Sequence, residues 1–219
     1  MRLILRSLLK TMLKSFSAFS YNESLKIHRY RKAFTEFLFS FGLTDTVKFE
    51  LMYQIEKVFG KNIPKNMITV HLRWGNKYRE MELVPINEYI SAIRKLVAQN
   101  KLDAVNIYLA TEDPNAADQF EQSCDEHWSV FRDWTLMRTK SIRKLAKIHG
   151  STDVVLADVT NGRYGLECLA SIVIAAEAKF FVLTTGSNFS RLINELRTNV
   201  IDVRCGNCTQ MVDLRQGEY

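Results

Sequence analysis

Met67-Ile68-Thr69-Val70-His71-Leu72 is a short, mostly apolar run with β-branched residues, and the polar turn Arg73-Trp74-Gly75-Asn76-Lys77 follows it at once. A run of this length bounded by a turn predicts a buried strand. Pro85 then opens a segment in which Ile86, Tyr89, Ile90, Ile93 and Val97 recur at helical spacing, which predicts a helix with one apolar face. Val105 to Ala110 is a second strand-like run, ending in Thr111-Glu112-Asp113-Pro114. Beyond it the pattern predicts a helix to about Cys124 and a short strand at Trp128–Arg132. A basic, irregular stretch occupies residues 136–150. A long apolar helix at Gly165–Ala178, a buried strand at Phe180–Thr184 and a helix at Ser187–Arg197 complete the series.

Strand and helix alternate with short turns, a pattern that predicts a parallel sheet with helices on both faces. The fold class expected for residues 65–219 is therefore α/β and Rossmann-like. In such folds ligands bind beyond the carboxyl ends of the strands, so the turns after strands are where chemistry is expected.

Residues 1–64 read as a helical segment preceding this unit. Residues 1–22 contain no acid, and Arg2, Arg6, Lys10 and Lys14 recur every four residues opposite Leu5, Leu8, Leu9, Met12 and Phe16. That pattern fits an amphipathic helix of the fold, and it also fits a targeting or membrane-surface segment. A second helix is expected over 23–41, with Phe34, Phe37, Leu38 and Phe41 on one face. Gly42 suits a helix stop, and Thr44 with Asp45 suit a start. The third helix carries Val47, Leu51, Ile55, Val58 and Phe59 and ends at Gly60. Three aromatic-rich helices in succession are expected to pack as a core layer.

Composition narrows the function classes. The apolar share is 47% and the charged share 25%, which fits a folded globular chain. A net charge of +6, from 30 basic and 24 acidic residues, favours an anionic ligand but is too small and too spread to indicate nucleic acid. No uncharged apolar run reaches the roughly 18 residues of a membrane span. Of the four cysteines, Cys205 and Cys208 form a Cys-x-x-Cys. With no second pair and scattered histidines, a zinc site is not expected. A local disulfide and two free thiols both remain open.

Three turns carry candidate chemistry. At the first strand's exit, alternate residues share a face, so His71 and Arg73 are expected to project the same way. Arg73 suits two phosphate oxygens, Lys77 could add a point charge, and Gly75 lets the backbone approach a ligand. At the second, Thr111 and Asp113 suit helix capping, while a carboxylate there could also accept hydrogen bonds from a sugar or ribose. The third is Thr184-Thr185-Gly186-Ser187-Asn188-Phe189-Ser190-Arg191, a strand running through a polar turn into a helix start. Free N–H groups at such a start can hold an anion, and Ser187 could equally serve only as the cap. The chain has no Walker lysine, no Gly-x-Gly-x-x-Gly and no Asp-x-Asp. Kinase-type and dinucleotide readings are therefore disfavoured, and a bound diphosphate would have to be neutralised by Arg, Lys and helix dipoles rather than by a metal.

Taken together, His71, Arg73, Asn76 and Lys77, then Tyr108 to Pro114, then Gly186, Ser187, Asn188 and Arg191 resemble the nucleotide-sugar-binding half of α-1,6-fucosyltransferases. The same order and spacing occur in the related protein O-fucosyltransferases and rhizobial fucosyltransferases. The likeness covers about residues 67–198. It implies the C-terminal half of a GT-B-type fold and a metal-independent, inverting transferase that needs no cofactor and uses GDP-fucose or a similar nucleotide sugar as donor. A glycan or protein would be the acceptor, and the secretory pathway or Golgi the compartment. His71 and Arg73 would contact the nucleotide and its diphosphate, and Arg73 with Lys77 would stabilise the departing charge. Glu80, or Glu82 beside it, would serve in acid–base work. Asn76, Asp113, Ser187, Asn188 and Arg191 would complete the substrate contacts. Asn76 stands where that family has aspartate, and an amide cannot take a proton. The acceptor-binding half of such enzymes lies outside the likeness. A non-catalytic nucleotide-sugar-binding module or fragment is the alternative.

Overall fold

The computed structural model describes residues 43–74, 82–137 and 158–215. The helices expected over 1–22 and 23–41, most of the basic stretch, and Gly75, Asn76, Lys77 and Glu80 lie outside the described residues. The elements run α1 (Asp45–Phe59), β1 (Ile68–His71), α2 (Ile86–Asn100), β2 (Val105–Ala110), α3 (Pro114–Gln122) and β3 (Trp128–Arg132). They continue with α4 (Trp134–Met137), α5 (Arg163–Ala176), β4 (Phe180–Leu183), α6 (Asn188–Leu196), a π-helical turn (Arg197–Ile201), α7 (Asp202–Cys205) and β5 (Gln210–Asp213).

The five strands form one sheet in the order β3-β2-β1-β4-β5, and every pairing is parallel. This is the α/β Rossmann-like arrangement that the alternating pattern predicts. Strand β1 sits at the centre, with the chain winding outward to β2 and β3 on one side and to β4 and β5 on the other.

Alternation along the strands builds two cores. Ile68, Val70, Val105, Ile107, Leu109, Phe180 and Val182 face α2 and α3, where Tyr89, Ile93, Leu96, Ala116, Ala117 and Phe120 close over them. Met67, Tyr108, Ala110, Phe181 and Leu183 face the other way, against Ile174, Ala175 and Ala178 and against Ile193 of α6. Strands buried on both faces need apolar residues at nearly every position, and this is why β1 and β4 read as continuous runs.

Helix α1 joins the second layer. Thr44 caps it by accepting from the Val47 N–H, and Gly60 ends it with φ 80°, a left-handed value that favours glycine. Leu51, Ile55, Val58 and Phe59 pack against the second core. The rest of the helix departs from a simple apolar-in, polar-out pattern. Phe49 and Met52 are 74% and 69% exposed, whereas Glu50 and Gln54 are buried. Gln54 donates to Glu50 Oε1 and to the Glu167 carbonyl, each at 3.1 Å, and accepts from the Ser171 hydroxyl at 3.3 Å. Arg163 bridges the Glu50 and Glu167 carboxylates at 3.2 and 3.1 Å. A polar seam between α1 and α5 therefore replaces part of the expected apolar one.

The C-terminal elements were not expected from the sequence. Leu196 runs without a break into the π turn, and Arg197 donates to Asp202 Oδ2 at 2.8 Å. Thr209 donates its N–H and hydroxyl to Asp202 Oδ1 at 3.0 and 2.8 Å. Cys205 and Cys208 are joined by a disulfide, which settles the alternative left open by their spacing. Beyond it, β5 pairs with β4 in parallel. No helix among the described residues is long and apolar enough to cross a membrane.

Candidate functional site

The strand order reverses between β1 and β4, and the carboxyl ends of these strands bound the crevice where doubly wound sheets take their ligands. Both flanking turns come from the sequence motifs. After β1 the chain runs through Leu72 and Arg73. After β4 it runs through Thr184, Thr185 and Gly186 into the N-terminus of α6.

One buried hydroxyl ties these two sides together. Ser190, in the first turn of α6, accepts the Thr184 N–H at 3.1 Å. The same oxygen lies 2.6 Å from His71 Nδ1, so the end of β1 and the β4–α6 turn share one hydrogen-bonded node. Phe189 packs on the imidazole with ring centres 4.8 Å apart. Burial, with Arg73 nearby as the lesser cause, pushes the His71 pKa down to about 3. His71 is therefore neutral at physiological pH and only 4% exposed. Its geometry makes it a brace for the turn rather than a cationic phosphate ligand.

Strand β5 holds the same turn from the other side. Thr185 donates its N–H to Asp213 Oδ1 at 3.0 Å, and its hydroxyl also donates to that carboxylate. The Gly186 N–H donates to the Arg215 carbonyl at 2.9 Å, and the Ser187 N–H to the Thr184 carbonyl at 2.8 Å. Ser187 takes the cap position with extended backbone, yet its side chain makes no capping hydrogen bond. Asn188 opens the helix and is exposed. The first-turn N–H groups of a helix have no carbonyl of their own to bond, and here they follow directly on the crevice.

Arg73 is mostly buried and forms an ion pair with Glu112 at the end of β2. Its guanidinium is thereby held toward the β2 side of β1, while Ser187 and Asn188 stand on the β4 side. Asp113 caps α3, accepting from the Asn115 N–H at 3.0 Å, so the capping role weighed in the sequence is the one it fills. Arg191 is half-buried within α6. Glu82 is well exposed and approaches Arg215 at 3.9 Å.

One residue beside these turns, Tyr89, escaped the sequence reading as a polar group. The Tyr89 hydroxyl, on α2, is buried beside Thr184, the Arg73 backbone and Arg215. Burial pushes its pKa well up, with smaller opposing effects from these neighbours. Tyr89 and Thr184 side-chain oxygens are neighbours, but neither closes a hydrogen bond of proper geometry with any group among the described residues. Buried polar atoms are normally satisfied, so the two hydroxyls are polar groups with bonding capacity to spare among the described residues. Helical spacing placed Tyr89 among the core residues, and nothing in the sequence separates its apolar ring from its polar tip.

The class so defined is a doubly wound α/β protein whose polar turns meet at its topological switch point. Compared with known protein families and with curated protein sequences, the chain matches none.

Proposed function

We propose that the crevice between β1 and β4 binds a nucleotide sugar, GDP-fucose or a close analogue, and that the protein is a metal-independent inverting glycosyltransferase. The observation that carries this reading is the pair of buried hydroxyls, Tyr89 and Thr184, that lack a hydrogen-bond partner among the described residues and stand near the α6 N-terminus at the strand-order reversal. A pyrophosphate supplies acceptor oxygens for hydroxyls, for first-turn N–H groups and, from the β2 side, for the guanidinium of Arg73. The resemblance of the three turns to fucosyltransferases supplies the sugar-donor class.

In the proposed reaction an acceptor hydroxyl attacks the anomeric carbon while the bond from that carbon to the phosphate oxygen breaks. The nucleoside diphosphate leaves with the electron pair, and the hydroxyl proton passes to a base. Glu80 is the carboxylate proposed for that base. Arg73 and the α6 N-terminus oppose the charge that develops on the leaving group. Glu112 then acts as a positioning residue that holds Arg73 in the crevice wall.

A binding module without turnover is the second reading, and Asn76 in place of a carboxylate favours it. Titration calorimetry with GDP, GDP-fucose and NAD, paired with an assay of GDP release from GDP-fucose, tests both. Binding of GDP with turnover supports the transferase, and binding without turnover supports the module. Binding of NAD in preference to GDP overturns both.

A further inference from the structure

A second chemical feature lies outside the crevice. Cys205 ends α7, Cys208 precedes β5, and their disulfide spans only the intervening Gly206 and Asn207. Both cysteines are exposed. A disulfide that closes so short a loop removes little entropy from the unfolded chain, so its contribution to global stability is at the small end of the range. Its local connections are more informative. Asp202, buried at the start of α7, lies close to both sulfurs but is already committed to Arg197 and to both donors of Thr209. With the Arg197 guanidinium 2.8 Å from that carboxylate, the three groups are poorly suited to a cation. They are well suited to holding the start of β5. The far end of β5 carries Asp213, Leu214 and Arg215, which bond Thr185, Leu183 and Gly186.

We propose that Cys205–Cys208 is a reversible thiol–disulfide exchange site whose redox partner is a small or protein dithiol, and that its state is transmitted through β5 to the Thr185–Gly186 turn. A thiolate of the reductant attacks the Cys208 sulfur and the S–S bond breaks. The electron pair leaves on Cys205, whose sulfur accepts the Cys208 N–H at 3.3 Å and then takes a proton. The second thiol of the reductant closes on the mixed disulfide and releases Cys208. Two electrons thus pass to the protein, and the reductant departs as its own disulfide. Reduction frees the Gly206–Asn207 turn, which holds glycine and asparagine at φ 74° and 59°, and loosens the anchor on β5.

The test treats the native protein with dithiothreitol, alkylates it, and maps the modified cysteines by peptide mass. Amide hydrogen exchange is then compared between the oxidised and reduced forms. Alkylation is expected at Cys205 and Cys208 without denaturant, and the Thr185, Gly186 and Leu214 amides are expected to exchange about tenfold faster after reduction. The wild-type chain serves in both states, so no variant has to fold. Asp202→Asn in the oxidised protein provides a second arm, expected to speed the same amides with the disulfide intact. Resistance of the disulfide to reduction until the protein unfolds would overturn the proposal. So would reduction that leaves exchange at Thr185 and Gly186 unchanged. Neither readout involves nucleotide binding, so the outcome stands apart from the function proposed for the crevice.

Discussion

His71 and Ser190 lie 119 positions apart in the chain, and their side chains meet at 2.6 Å behind the junction of β1 with β4. The Ser190 oxygen also accepts the Thr184 N–H, so one atom joins the central strand to the turn that opens α6. Ser190→Ala leaves a buried imidazole nitrogen and a buried amide with a partner removed. Such a loss costs about 1–3 kcal/mol, to be read from urea denaturation, and nucleotide affinity falls with it because the turn is no longer braced.

The same imidazole gives a pH dependence with a definite sign. Its pKa is about 3 in the folded protein against 6.5 when unfolded. Below pH 6.5 the unfolded chain therefore binds a proton that the folded chain refuses. Stability is lost as pH falls from about 6.5 toward 3, at up to roughly 1.4 kcal/mol per pH unit. Comparing urea midpoints at pH 7.5 and pH 5, the His71→Gln protein should lose about 2 kcal/mol less than the wild type. Parallel losses in the two proteins would mean that His71 is not the group involved.

Tyr89→Phe separates binding from folding. The hydroxyl closes no hydrogen bond of proper geometry among the described residues, so its removal should leave stability unchanged or slightly raised. Affinity for GDP should fall by about 0.5–1.5 kcal/mol if the crevice is the binding site. Calorimetry and thermal denaturation on the same sample measure both quantities.

Arg73→Ala should weaken GDP binding by about 1.5–3 kcal/mol, the range for a charged hydrogen bond. Unchanged affinity would place the diphosphate elsewhere.

A control lies away from the crevice on the same sheet. The Tyr108 hydroxyl donates to the buried Asp133 carboxylate at 2.7 Å, and burial, followed by the charge of Asp133, pushes the phenol pKa well above its usual value. Tyr108→Phe should destabilise the fold by about 1.5–3 kcal/mol in urea while GDP affinity is retained.

Much of the architecture was legible because strands buried on both faces leave a continuous apolar signal. Val105–Ala110 and Trp128–Arg132 fall where their pattern places them, and β1 and β4 differ from expectation only at their ends. Strand β5 was not legible: Gln210-Met211-Val212-Asp213 is short, has polar ends and lies at a sheet edge, so it carries neither an apolar run nor a clean alternation. The Glu50–Gln54 face of α1 was hidden for a related reason. Its burial depends on Arg163 and Glu167, more than a hundred residues away, and helical periodicity alone assigns polar residues to water. At the crevice, residue types were readable but partners were not. The sequence names His71 and Arg73 but gives no sign that Ser190 lies against the one and Glu112 beside the other.

The register of the central strand also dictates an order of assembly. Ile68 aligns with Ile107 on one side and with Phe180 on the other, so the second partner arrives 73 residues later along the chain than the first. Closing the longer loop costs more entropy and lowers the rate of pairing. As the polypeptide emerges during synthesis, β1, β2 and β3 can zip together while the opposite margin of β1 stays bare. An uncovered parallel edge of Ile68, Thr69 and Val70 invites pairing with another nascent chain, a hazard that ends only when β4 is made and covers it.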